Sequence, residues 1–195
     1  MPKVIIVHYE EDLEAIEEFE TMVKYFWDDS NFYTRSAIIS TLEGLTDLTA
    51  VTDRLNKTQE DIGGLFQPYY GDDVAAKVTT LLKANITATI DLVTAAKNNR
   101  SLTDAIARWD TSAANIADAL SSLDSVNWPS AAVLAAYASY QTQLIAEVTA
   151  RSSRDWAADV AAFDLSRLVV EEIADTMADG IVCKFPEKFV KFDSY

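Results

Sequence analysis

Leu102, Ile106, Trp109, Ala113, Ile116, Leu120 and Leu123 follow one another at alternating four- and three-residue steps. That spacing puts all seven on one stripe of a helix, with the repeat of helices packed side by side. Such a stripe is stable only when other helices cover it, so the pattern asks for a bundle. With five Gly and four Pro in 195 residues, little punctuates the chain and the elements between must be long.

The stretch Phe26–Leu45, FWDDSNFYTRSAIISTLEGL, reads as the element around which the others pack. Trp27, Ser30, Thr34, Ala37, Ile38 and Thr41 share one helical face, which Phe32, Tyr33 and Ile39 are expected to widen. Arg35 sits beside that face, and Gly44 is a natural left-handed stop. Upstream, Leu13, Ile16, Phe19 and Val23 keep the spacing from about Glu10, with a possible break at Asp28–Ser30. Lys3–Tyr9, KVIIVHY, is β-branched and reads as a strand or extended arm.

Past Gly44, Asp47 is expected to cap a short helix carrying Leu48, Val51 and Leu55. Thr58 with Asp61 suggests another cap, and Gly63-Gly64 a loosened chain. QPYYGDD reads as a turn whose Tyr69 and Tyr70 plug the bundle end. A long helix from Asp72 to about Asn98 carries Val78, Leu82, Asn85, Thr89, Leu92 and Ala96. After VNWPS, a helix from Ser130 to Ser152 carries Val133, Tyr137, Tyr140, Leu144 and Val148. Beside that seam Ala132, Ala135, Ser139, Thr142 and Ala146 form a line of small residues expected to admit a close neighbour. The last helix, from about Asp155 to Ala178, carries Trp156, Val160, Phe163, Val170, Ala174 and Met177, with Gly180 as its stop. The expected fold is all-α: an up-and-down bundle of four to five long helices, with a short helical insertion near 47–68 and an extended N-terminal arm. The division is an arm at 1–9, a bundle at 10–182 and a C-terminal tail at 183–195.

A net charge of −15, from 31 acidic and 16 basic residues, repels phosphate backbones and anionic lipid. Lys184, Lys188 and Lys191 are the nearest approach to a basic patch, and Glu187 dilutes it. Neither a nucleic-acid nor a membrane partner is expected. One cysteine, Cys183, permits no internal disulfide, and no run approaches the roughly 20 apolar residues of a membrane span. The expected location is intracellular and soluble.

Metal chemistry finds little support. His8 is the sole histidine, Cys183 is alone, and the carboxylates Glu171, Glu172 and Asp175 have no histidine at a bundle-metal spacing. Cys183 has no histidine base, and Gly63-Gly64 lacks the lysine and strand of a phosphate loop. No catalytic residue, metal or cofactor is assigned. What stands out is polar residues assigned to core faces: Ser30, Thr34, Arg35, Asn85, Arg108, Asn115, Ser139, Asp164 and Arg167. An inward arginine must meet a carboxylate, and Arg35 is paired with Asp164. These side chains either fix helix register or form a pocket, whose candidate lining is Ser30, Thr34, Arg35, Asn85, Ser139 and Asp164.

The motifs TRSAIIS, GLTDL, RLNKTQEDIG, PYYGDDVAAK, LLKANI, RWDTSAANIADALSSL and DGIVCKFPEKF, in that order, resemble an uncharacterised all-helical family. That family occurs in Bacillus-like bacteria and in large DNA viruses, and its bacterial members are often labelled acetylglutamate kinase. The resemblance spans residues 26 to 189. Nothing in the chain supports the kinase label, which needs an α/β fold and a phosphate loop. The resemblance implies histidines in bacterial members at the positions of Ser30, Asn85 and Ser139; here all three are small polar residues, so an activity built on them would be lost. Two functions are weighed. One is a non-enzymatic structural or protein-interaction module, located in a virion or host cytoplasm if viral, with self-association as a homodimer through the N-terminal arm. The other is a small-ligand-binding or degenerate enzyme-like bundle around the polar pocket.

Overall fold

The computed structural model describes residues 9–190, with side chains from Leu13 on. Of the expected arm at Lys3–Tyr9, only Tyr9 is described, and it is the first residue of α1; the rest of the arm, with His8, lies outside the described residues, as does Lys191. Everything described is helix or short turn: α1 (Tyr9–Glu43), α2 (Leu48–Gly64), the single turn α3 (Gln67–Tyr70), α4 (Asp72–Lys97), α5 (Thr103–Leu123), α6 (Ser130–Ser152), α7 (Trp156–Lys184) and a 3-10 turn at Pro186–Lys188. The helices pack in the order α1, α2, α4, α5, α6, α7, and α7 closes the ring against α1.

The all-α class therefore stands, while the count changes. Six helices of 17 residues or more are present among the described residues, where four or five were expected. The difference is α2, read from sequence as a short insertion. It is a full member of the ring, with Leu55, Thr58, Gln59, Ile62 and Gly63 buried. Thr58 is no cap but lies mid-helix, its hydroxyl donating to the Leu55 carbonyl at 2.6 Å. Gly63 does not loosen the chain either. A methyl there would meet Thr79 Oγ1 and the Ala75 carbonyl, so the glycine is where α4 crosses close to α2.

α1 runs unbroken for 35 residues, through the Asp28–Ser30 point where a break was possible. Its inner face is the expected one, with Trp27, Ser30, Thr34, Ala37, Ile38 and Thr41 all buried. Phe32 departs from it and is exposed. Gly44 ends the helix at φ 69°, with Leu45 N–H donating to the Ser40 carbonyl at 2.9 Å. Lys97 Nζ, from the far end of α4, caps the same terminus at the Thr41 carbonyl, 2.6 Å away. Asp47 does not cap α2; it accepts from Ser40 Oγ at 2.7 Å.

α5 buries Trp109, Ala113, Ile116 and Leu120 as its stripe requires. At one end of the bundle, Tyr69 stacks on Phe189 at 5.6 Å and Tyr70 meets Phe185 edge-on at 4.9 Å, so the two tyrosines do act as the plug. α7 departs most from expectation. Trp156 and Val160 are half exposed, and the buried line is instead Asp159, Ala162, Ser166, Val170, Ile173, Ala174 and Met177. Gly180 does not stop it: the helix continues to Lys184, and Gly180 is instead the point where the Trp128 ring lies against the helix, where a Cβ would be. On α6 the line Ala132, Ala135, Ser139, Thr142 and Ala146 is exposed, facing away from the neighbours it was expected to admit.

Candidate functional site

Two polar groups lie inside the bundle and adjoin along α1. The first surrounds a small cavity of about 20 Å³ between α1, α2, α4, α6 and α7. Ser30, Asn31, Thr34, Gln59, Asn85 and Tyr137 are among its lining. Most of their polar atoms satisfy one another. Gln59 Nε2 donates to Ser30 Oγ at 2.9 Å, Asn85 Nδ2 to Ser112 Oγ at 2.8 Å, and Thr34 Oγ1 to the Ser30 carbonyl at 2.8 Å. Asn31 Nδ2 reaches Ser166 Oγ at 3.1 Å, and the Tyr140 hydroxyl donates to Asn31 Oδ1 at 3.3 Å. Two lining groups, Trp27 Nε1 and the Tyr137 hydroxyl, have no protein partner. A space of this size takes a single water.

The second group lies between α1, α6 and α7. Arg35 grips Asp159 with both terminal nitrogens, at 3.0 and 3.1 Å, and donates to Glu147 Oε1 at 2.7 Å. Arg151 donates to Asp159 Oδ2 at 2.9 Å and lies 3.6 Å from Glu43. Glu147 and Asp159 are only 3% and 2% exposed. The Arg35 guanidinium also lies over the Phe163 ring, 4.6 Å from its centroid. Burial pushes the Glu147 carboxyl up to about 7 against the pull of Arg35. The Arg35 guanidinium is held above its ordinary value, its carboxylate partners outweighing the opposing burial. Burial first, and then the Glu147 charge, also drives the Tyr140 hydroxyl well above the usual tyrosine range, which ties the two groups together.

Of the six residues expected to form a pocket, Ser30, Thr34 and Asn85 line the cavity. Arg35 belongs to the ion-pair group. Ser139 and Asp164 are exposed and take no part. The Arg35–Asp164 pairing is therefore corrected to Arg35 with Asp159 and Glu147. Arg108, Asn115 and Arg167 also face outward. The positions of Ser30, Asn85 and Ser139 do not converge, because Ser139 sits on the outer side of α6.

Sequence reasoning missed Glu147, Arg151, Asp159, Asn31 and Gln59. One signal was present: Glu147 directly precedes the seam residue Val148 and follows Leu144 by three, which puts a charge at the edge of an apolar stripe. Asp175 pairs with Lys24 at 2.8 Å, while Glu171 and Glu172 are exposed. No cluster of three potential metal ligands occurs among the described residues. No described helix is long and apolar enough to cross a membrane. No protein-family model, curated protein or solved structure matches the chain.

Proposed function

We propose that the chain is a non-enzymatic helical-bundle module that acts through its surface, as a structural element or a binder of protein. The observation that carries this is the cavity: about 20 Å³, room for a water and for no organic ligand. Its lining is occupied with itself, as expected of polar groups that set the register of packed helices. On the resemblance of its central motifs, the module would work inside a cell or a virus particle.

The competing reading is a degenerate enzyme-like bundle, and Glu147 is what favours it. A buried carboxyl that titrates near 7 is typical of acid–base sites. Here, however, its hydrogen-bond partner is a guanidinium already committed to Asp159, as in a structural ion-pair network. Native mass spectrometry separates the readings. The surface-module reading expects ions at the mass of the bare chain or whole multiples of it. Added mass that survives desalting and leaves on denaturation would overturn it.

A further inference from the structure

An apolar groove lies at the end of the bundle that Tyr69 and Tyr70 plug, between α1 and the corner joining α2 to α3. Phe19, Met22 and Phe26 of α1 line it with Leu65, Pro68 and Tyr69 of the corner, around about 210 Å³. Asp61 is its one charged lining residue, and Lys57 holds that carboxylate at 3.1 Å. Met22 is left 42% exposed.

The C-terminal chain already reaches the edge of this groove. Phe189 packs on two of its lining rings, 5.3 Å from Phe19 and 5.6 Å from Tyr69, and Phe185 lies 5.7 Å from Tyr69. Val190, the last described residue, is half-buried, so the chain has not left the bundle surface there. Five residues follow, Lys191–Tyr195. They continue a series of aromatics at three- and four-residue steps: Phe185, Phe189, Phe192, Tyr195.

We propose that residues 191–195 turn over the Phe19–Tyr69 pair and seat Phe192 in the groove, strapping α1 to the α2–α3 corner. This strap is independent of whether the bundle acts through its surface. Size favours a single side chain as the occupant. An apolar cavity of about 150 Å³ takes one benzene, so the groove has room for one phenyl ring. A second copy or another protein would need a face of about 800 Å² to hold specifically. Reach favours the tail. Phe192 is three residues past Phe189, up to about 10 Å of extended chain, and the groove begins one ring beyond Phe189. Residues 1–8 enter α1 at Tyr9, about 15 Å before Phe19, and would have to double back. The chemistry agrees, since phenylalanine brings no polar group to a groove whose one carboxylate is already paired. A partner presenting an aromatic side chain at this end must first displace the tail.

Methionine-methyl NMR of the full chain tests the strap. The Met22 methyl resonance should shift in Phe192→Ala as the ring above it is lost, while that of Met177, buried in the core, stays in place. Met22→Cys with Asp193→Cys in a Cys183→Ser background should close a disulfide within one chain on mild oxidation. Adding Phe192→Ala should slow that closure at least about tenfold, because the tail then samples the groove only at random. A Met22 resonance indifferent to Phe192→Ala, or closure equally fast without the ring, would end the proposal. So would a disulfide that joins two chains, which makes a second copy the occupant. A Met22 shift on deleting residues 1–8, with none on deleting 191–195, would assign the groove to the N-terminal segment instead and overturn it too.

Discussion

Replacing Glu147 with glutamine should stabilise the protein at neutral pH, although it removes one member of an ion pair. Burial lifts the Glu147 carboxyl from 4.5 to about 7. The folded chain thus keeps a proton over a range where the unfolded chain has lost it. Its share of stability falls as pH climbs through that range and is level on either side. At about 1.4 kcal/mol per pH unit, the gap comes to roughly 3 kcal/mol. Glutamine cannot ionise, its amide oxygen can still accept from Arg35, and Arg35 keeps both bonds to Asp159. Urea melts of the two proteins should coincide near about pH 4 and separate by roughly 3 kcal/mol by about pH 7.5, the variant being the more stable. Taking the difference cancels the carboxylates outside this cluster. A variant less stable than the parent at the higher pH, or a gap independent of pH, would refute the reasoning.

Three further substitutions test the packing. Trp109→Ala empties a fully buried site and loses the bond from Nε1 to Thr89 Oγ1; denaturant melts should show a loss of roughly 3–5 kcal/mol, and less than about 1 would place the α5 stripe elsewhere. Gly63→Ala would gain up to about 1 kcal/mol on helix propensity alone, but against Thr79 and the Ala75 carbonyl it should cost about 1–3 kcal/mol; a stabilised variant in thermal melts would mean that α4 does not cross here. Tyr137→Phe should cost at most about 1 kcal/mol in urea melts, because no protein group loses a partner; a loss above about 2 kcal/mol would show a hydrogen bond to its hydroxyl that the packing does not contain.

α4, α5 and α6 were legible from residue order, because their apolar seams are narrow and leave one orientation. α2 was not. Thr58, Gln59 and Gly63 look like turn residues, yet Thr58 and Gln59 satisfy each other and Ser30 in the interior, and Gly63 marks a close crossing. α7 is apolar nearly all round over its first turns, so its phase could not be read. A seam through Trp156 and Val160 fitted as well as the true one through Asp159 and Ala162. The same ambiguity moved the arginine partner. Asp164 is five residues past Asp159, about 140° around the helix, so only one of the two can face Arg35. Small residues on α6 carried no direction, since alanine suits a tight contact and an open surface equally. The chemistry was legible in kind, an inward arginine needing a carboxylate, while the identity depended on helix rotation.

The central claim, that the bundle interior serves its own packing and holds no ligand, is tested most directly by an experimental electron-density map of the cavity at high resolution. The account predicts one water-sized peak, within hydrogen-bonding distance of Trp27 Nε1 or the Tyr137 hydroxyl, with Gln59 bonded to Ser30 and Asn85 to Ser112. Extended or heavier density that displaces Gln59 or Asn85 would contradict it.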